Sequence, residues 1–423
     1  MKNVYDTLKE RGFIEQVTDE NQVRTLFEKP ITAYIGFDPT AKSLHVGSLV
    51  PIMSLAHLQK HGHRPIALVG GGTGLVGDPS GKTEMRKVLS REEIEENAQA
   101  LKKQLSRYLD FTNDRAFLLN NADWLVGLNY IEFLRDIGRH FSVNRMLAAE
   151  SYRIRLETGL SFIEFNYMLL QAYDFWHLYH HHGCVLQMGG NDQWGNILAG
   201  VDLTRRLDGA TVHGLTFPLI TTASGEKMGK TAAGAVWLNE ELTSPYQYYQ
   251  YWINTDDRDV ERFLALFTFL PLEEVRRLGS LEGADLRRAK EILAFEATKV
   301  THGEEEARKA QEASQSLFGR RSTTLEVQDL TFGMEFENLN LVPTSKVARS
   351  LLEEGVPAFK LFMQTKLCTS GGEARRLIDQ GGGYINEERV EHFDQLIGVS
   401  HLKDGVLLLR AGKKKYHLVE VGD

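Results

Sequence analysis

The chain has 423 residues, 42% hydrophobic and 25% charged, with a formal net charge of −8. That length exceeds one ordinary core and predicts two or three domains with the balance of a soluble globular protein. No apolar run is long enough to cross a bilayer, and the acidic total means that any nucleic-acid contact must use a local basic patch.

The N-terminal stretch MKNVYDTLKERGFIEQ reads as an amphipathic helix without the apolar core of a secretory signal. The two cysteines, Cys184 and Cys368, lie far apart. They predict no disulfide framework and a reducing, cytoplasmic setting, and zinc-ligand spacing is absent. TAYIGFD (32 to 38) and PIALVGG (65 to 71) read as short buried strands, with helical periodicity in GSLVPIMSLAHLQKHG between them. Strand, helix, strand opens a parallel α/β sheet. REEIEENAQALKKQLSRYL predicts a helix, and SFIEFNYMLLQAYDFWHLYHHHG a long one. CVLQMGGNDQWGN reads as a strand and a glycine-rich turn, and LTFPLIT and AVWL as further strands. From TSPYQYYQYWINTDD to about Leu317 the texture is helical, with Ser244 as N-cap and Pro245 in the first position. Residues 319 to 344 lack periodicity and read as a connector. TSKVARSLL opens a small C-terminal unit that ends in GVLLLRAGKKKYHLVEV, which reads as strands.

The loop GGGTGLVGDPSGKT (70 to 83) imitates two nucleotide-binding motifs. Gly72, Gly74 and Gly77 spell G-x-G-x-x-G, yet the run follows a later strand, and Glu92 and Glu93 lie in a helical stretch instead of closing a second strand. A P-loop needs a glycine where Val76 stands. Two readings stay open: a plain turn of small residues, or a site in which Asp78 and Lys82 act from the carboxyl end of a strand.

His45-Val46-Gly47-Ser48 stands between a strand and a helix, and GEKMGKT places Lys227, Lys230 and Thr231 between two strands. Taken singly, these are a turn histidine and solvated lysines. Together they resemble the HIGH and KMSKS signatures of class I aminoacyl-tRNA synthetases. The chemistry agrees. When a carboxylate attacks the α-phosphate of ATP, charge builds on the phosphates, and a helix N-terminus, His45 and the lysines can donate to them. Positioning and electrostatics suffice, with no protein nucleophile.

On the long helix, Tyr167, Gln171 and Asp174 stand at i, i+4 and i+7, a polar stripe among Phe, Leu, Met and Trp. By itself this is either a satisfied buried network or a pocket wall. With Gly190, Asp192, Gln193 and Trp194 in MGGNDQWGN, and with TDENQVRTLFEKPITAYIGFDPTA and TSPYQYYQYWINTDDRDV, the chain resembles the bacterial tyrosyl-tRNA synthetase family over nearly its whole length.

The resemblance implies a Rossmann-like parallel-sheet α/β catalytic domain over 1–242, with a helical insertion around 122–180. It further implies a helical anticodon-recognition domain over 243–318, a linker over 319–344, and a small α+β RNA-binding domain over 345–423. Tyr34 and Asp174 would hold the substrate phenol, with Tyr34 donating to it. Asp78, Tyr167 and Gln171 would bind its ammonium group, and Gln193 would lie near its carboxylate. Gly36, Asp38, Thr40, His45, Gly47, Ser48, Gly190 and Asp192 would line the ATP site, with Asp192 on the ribose. Lys82, Arg86, Lys227, Lys230 and Thr231 would close on the pyrophosphate. Substrates would be tyrosine, ATP carrying Mg²⁺, and tRNA(Tyr), and the chain would be a homodimer away from membranes.

KLCTSGGEARRLIDQGGGYINEERV resembles the RNA-binding domain named after ribosomal protein S four, through Ser370, Glu373, Ala374, Arg375, Arg376 and Asn386. Arg375, Arg376, Lys413, Lys414 and Lys415 could meet phosphates. Three positions depart from the family pattern: Ser48 replaces a second histidine or asparagine, Gly229 replaces a serine, and Glu387-Glu388 replace a glycine turn. His180, His181 and His182 point in different directions from a helix, so no shared metal is expected. Two rivals are open at this point. One is a tryptophanyl-type synthetase, against which Tyr34 and Asp174 argue because indole only donates. The other is a synthetase-like RNA-binding protein without aminoacylation activity.

Overall fold

Six strands form the central sheet: β1 (Gln16–Val17), β2 (Thr32–Phe37), β3 (Arg64–Val69), β4 (Phe117–Asn120), β5 (Cys184–Gly190) and β6 (His213–Phe217). The computed structural model describes residues 2–80, 89–225, 227–231, 234–318, 343–386, 388–403, 405–412 and 415–422, without the side chains of 158, 230, 231 and 316–318. The strand order is β1-β6-β5-β2-β3-β4. β2 to β6 pair in parallel and β1 runs antiparallel on β6. β2 and β3 are buried almost throughout, as a sheet covered on both faces demands of its apolar runs. The order reverses between β2 and β5, and a ligand crevice forms outside the carboxyl ends of strands at such a point.

The helices of this region are α1 (Val4–Glu10), α2 (Glu20–Leu26), α3 (Leu49–Lys60), α4 (Arg91–Leu105), α5 (Ala122–Leu125), α6 (Tyr130–Asp136), α7 (Val143–Ala148), α8 (Glu150–Thr158), α9 (Phe162–His182) and α10 (Trp194–Asp208). α3 follows β2 and is buried along nearly its whole length, the signature of a helix enclosed in a core. α9 starts on a capping box, in which Ser161 accepts from Glu164 N and Glu164 reaches back to Ser161 N. It ends at Gly183, whose φ of 60° supplies the left-handed cap.

Two strand expectations change. LTFPLIT contributes only its first residues to β6, which ends at Phe217, because Pro218 has no N–H to give to a ladder. AVWL is not a strand of the sheet. Its backbone instead pairs with the segment before α3: Val46 N–H donates to Val236 O at 2.9 Å, and Leu238 N–H to Leu44 O at 2.9 Å. β4, four residues long, has too little pattern to be read from sequence.

Helices continue as α11 (Pro245–Ile253), α12 (Val260–Phe267), α13 (Leu272–Gly279), α14 (Ala284–His302) and α15 (Glu304–Phe318). Ser244 caps α11 with Pro245 in its first turn. Two compact units result. One comprises Met1–Thr231, Ala235–Leu242 and Thr255–Thr301, and the other Ala232–Gly234, Thr243–Asn254 and His302–Asp423. The helical stretch is thus shared between them. In the second unit, Gln250 on α11 donates to Ser314 on α15 at 3.0 Å.

The C-terminal part of that unit carries a five-stranded sheet ordered Glu388–Arg389, Gly383–Ile385, Val406–Ala411, Lys415–Gly422 and Thr344–Ala348. Its first strand therefore begins at Thr344, at the end of the stretch read as a connector. Leu361, Phe362, Ile378, Leu407, Leu409 and Val419 form its core. Among the described residues no helix is long and apolar enough to cross a membrane.

Candidate active site

The carboxyl ends of β2, β3 and β5 face one cavity of about 400 Å³, and α9 supplies a wall. Tyr34, Gly36, Asp38, Thr40, His45, Gly47, Ser48, Asp78, Tyr167, Gln171, Asp174, Gly190, Asp192 and Gln193 all line it. A wider cleft of about 940 Å³ opens beside it. His45, Gly47, Gly190 and Asp192 line both spaces, while Lys227 lines the cleft alone. The structure thus gathers residues that are 140 or more positions apart in the chain.

Tyr34 projects from the middle of β2, in register with Ile66 of β3 and Gln187 of β5. Its ring lies 5.4 Å from that of Phe175. Its hydroxyl is buried and has no hydrogen-bond partner among the described residues. Burial, with Asp174 adding, holds that hydroxyl well above the usual phenol range. A buried donor without a partner is costly, so this hydroxyl suits an acceptor that enters the cavity.

Asp174 on α9 is almost fully buried. Trp124 Nε1 donates to its Oδ1 at 2.7 Å, and Asn121 Nδ2 to its Oδ2 at 2.8 Å. Burial still pushes its carboxyl up to about 7, because these donors offset only part of the desolvation.

Asp78 lies after β3 and accepts from Ser80 N at 2.9 Å and Gln193 Nε2 at 2.7 Å. Burial, with Asp38 adding, pushes it up to about 6. Asp38, at the end of β2, accepts from the Tyr167 hydroxyl at 3.1 Å and from Thr73 Oγ1 at 3.1 Å. A side chain at Gly70 would stand 2.2 Å from Asp38 Oδ1 and 2.5 Å from Thr73 Oγ1, so glycine here leaves room for the Asp38 carboxylate and its bond from Thr73. Asn196 on α10 joins the far side, donating to Gln171 Oε1 at 3.0 Å and Gln193 Oε1 at 3.2 Å. Four aspartates, Asp38, Asp78, Asp174 and Asp192, line one small space, which favours a cation there.

His45 caps a short turn of helix before α3, its Nδ1 accepting from Gly47 N at 3.0 Å. Ser48 follows at the start of α3 and makes no side-chain capping bond. Lys227 is exposed and its backbone bridges to Thr221. Lys82, Arg86, Lys413 and Lys414 lie outside the described residues, as do the side chains of Lys230 and Thr231.

The chain matches the family model described as tRNA synthetases class I (W and Y) over residues 26–319. Residues 337–419 match the model described as the tyrosine–tRNA ligase SYY-like C-terminal domain. The chain is 60% identical to a tyrosine–tRNA ligase of Syntrophus aciditrophicus, over 100% of this chain and 99% of the relative. It is likewise 60% identical to one of Desulfatibacillum aliphaticivorans, over 98% of each. The chain belongs to the class I tyrosine–tRNA ligases. A solved structure agrees: the C-terminally truncated mitochondrial tyrosyl-tRNA synthetase of Aspergillus nidulans superposes with a TM-score of 0.68 at 33% identity, over 75% of this chain and 95% of that one.

As a tyrosine–tRNA ligase, the chain departs from the second signature at Gly229, and the fold gives the reason. Gly229 has a φ of 80°, and a side chain there would stand 2.9 Å from Gly47 N and 3.2 Å from His45 Nδ1. The two signatures touch at this point, and glycine is what permits it.

Asn121, Trp124, Thr73 and Asn196 were not singled out in the sequence. Asn121 and Trp124 follow β4, which is too short to be read as a strand, so the run LLNNADW does not mark them as crevice residues. The histidine triplet diverges: His180 meets Asp208 at 2.9 Å, His181 Nδ1 meets His177 O at 2.9 Å, and the ring of His182 lies 5.1 Å from that of Phe117.

In the C-terminal part, Ser370 caps the helix Gly371–Asp379 and accepts from Glu373 N at 3.2 Å. The Arg375 guanidinium lies 4.3 Å from the centre of the Phe359 ring. Hydrogen bonds from Thr369 hold the Glu373 carboxyl below its usual range, and Lys415 and Arg376 add to this, so both cations lie near it. Asn386 takes a positive φ of 51° and locks its turn through Leu408, donating from its backbone and accepting at its side chain.

Proposed function

We propose that the protein works as a tyrosine–tRNA ligase through the cavity at the β2–β5 switch point. It activates L-tyrosine with ATP and transfers the tyrosyl group to the 3′ end of tRNA(Tyr). The observation that carries the reading is the pair lining the cavity: a Tyr34 hydroxyl without a partner among the described residues, and the carboxylate of Asp174. A phenol is both donor and acceptor, so it would satisfy both groups, whereas an indole offers only a donor.

Each side chain then has a role. The substrate phenol donates to Asp174 and accepts from Tyr34. Asp78, Tyr167 and Gln171 hold the ammonium group, and Gln193 lies beside the carboxylate. ATP takes the rim shared with the wider cleft, with Gly36, Asp38, Thr40, His45, Gly47, Ser48, Gly190 and Asp192 around it and Asp192 on the ribose. It enters with Mg²⁺ on its phosphates. A substrate carboxylate oxygen attacks the α-phosphorus, the bond to the β-phosphate breaks, and pyrophosphate leaves. His45, Lys82, Arg86, Lys227, Lys230 and Thr231 stabilise the charge on the departing phosphates. In the second step a hydroxyl of the tRNA terminus attacks the activated carbonyl carbon and AMP leaves.

The domains follow the same reading: catalysis in 1–242, anticodon recognition by the helices of 243–318, a linker over 319–344, and tRNA binding in 345–423 through Arg375, Arg376, Lys413, Lys414 and Lys415. The chain acts in the cytoplasm as a homodimer. Exposed Tyr130, Ile131, Val143, Ile154, Leu156 and Phe162 lie together in sequence and suit a self-association surface. The test is ATP–pyrophosphate exchange with tyrosine, phenylalanine and tryptophan. Exchange with tyrosine alone supports the assignment, and exchange with tryptophan instead overturns it.

A further inference from the structure

Trp124 holds Asp174 by one edge and is itself held by one face. Its indole stacks on the imidazole of His177, with ring centroids 4.3 Å apart and planes 16° from parallel. Asp174 and His177 are one turn apart on α9, so a single helix face supplies both the acceptor for the indole N–H and the ring beneath it. His181, one turn further on, stacks on His177 at 4.0 Å and 20° and extends the pile.

Trp124 needs this support. It sits on α5, four residues long with no side-chain cap bond, and a single turn has little stability of its own. The indole is half-buried and meets the core at Tyr34, Phe175 and their neighbours. Asp174, by contrast, is almost fully buried, and its carboxylate depends on the direction of each donor it has.

We propose that His177 is a positioning residue for tyrosine selectivity: it holds the Trp124 indole in plane so that its N–H stays on Asp174. The proposal rests on the assignment of tyrosine as substrate. Burial, together with His181, His182 and His180, lowers the His177 ring to about 4. A neutral imidazole is therefore the stacking partner at working pH. The three rings of the pile, Trp124, His177 and His181, are outside the catalytic groups, so their replacement addresses geometry and not chemistry.

The test is ATP–pyrophosphate exchange by the full chain, with tyrosine and phenylalanine, for wild type, His177→Ala, His177→Leu, His177→Phe, Trp124→Phe and the double variant His177→Ala/Trp124→Phe. Misaligning one bond to the carboxylate should raise the tyrosine KM of His177→Ala about tenfold. Its kcat should stay near wild type, and the preference for tyrosine over phenylalanine should fall in proportion. His177→Phe, which restores a flat ring, should restore KM, while His177→Leu, which restores volume alone, should not. The double variant should bind tyrosine no worse than Trp124→Phe. Should His177→Ala not fold, the leucine and phenylalanine variants carry the comparison. Equal KM values for those two, or losses that multiply in the double variant, overturn the proposal. A wild-type protein without tyrosine-dependent exchange fails the substrate assignment instead, and the proposal with it.

Discussion

Arg155 Nη2 donates to both carboxylate oxygens of Glu164, at 2.9 and 3.1 Å, with the two side chains 2% and 4% exposed. Glu164 is also the third residue of α9 and part of its capping box. The helix that carries Tyr167, Gln171 and Asp174 is therefore anchored at its first turn by a buried ion pair. Removing one partner leaves the other charge buried without a counter-ion, so Arg155→Leu should cost about 3–5 kcal/mol in denaturant unfolding. Ser161→Ala, which removes the cap and one neutral donor to Glu164 but leaves the ion pair, should cost about 1 kcal/mol. Equal losses for the two would mean the pair adds nothing beyond the cap.

The same carboxylate links stability to acid. Burial alone would raise Glu164, but Ser161 and Arg155 outweigh it, and its carboxyl lies below the usual 4.5. A depressed folded pKa gives a contribution that is present above 4.5 and is lost as pH falls through the folded value. Acid titration followed by circular dichroism should show that loss in wild type, and Glu164→Gln should lack it.

Asp174 and Asp78 have the opposite sign. Their folded values, about 7 and about 6, lie above 3.8, so their contribution is full below 3.8 and is lost as pH rises through 6 to 7. Tyrosine needs both ionised, one to accept the phenol and one to hold the ammonium. KM for tyrosine should therefore rise as pH falls through 7 and rise more steeply below 6. Tyrosine should also raise the melting temperature more at high pH than at low pH across this window. A KM constant across it would remove the ionised pair from substrate binding.

Gly229 faces Gly47 and His45 at distances that admit no side chain. Gly229→Ala must displace the loop that bears Lys227 from the turn that bears His45 (and its positive φ is strained besides). The displacement acts on the phosphates and not on the amino acid. In exchange assays kcat should fall at least about tenfold while KM for tyrosine holds, as for an interaction made in the transition state. A change confined to the tyrosine KM would contradict the placement.

Ile131 and Phe162 are 69% and 70% exposed. If this surface joins two copies, Ile131→Glu with Phe162→Glu should yield monomers by sedimentation at concentrations where the wild type is a dimer. Monomeric wild type would end the proposal.

The sequence determined the parts with local signatures. The apolar strands β2, β3 and β5, the capped helix α9 and its polar stripe were all legible, because periodicity and caps act over a few residues. Family motifs then pointed to His45, Asp78, Asp174 and Lys227. Only the tertiary structure decided which groups complete the site. Asn121 and Trp124 follow a four-residue strand whose pattern is too short to read, yet they supply both bonds to Asp174. AVWL had a strand's composition, but its backbone found its partners before α3 and not in the sheet. The raised values of Asp174 and Asp78 likewise have no sequence signal, since burial and neighbouring carboxylates create them and both arise only when distant strands converge.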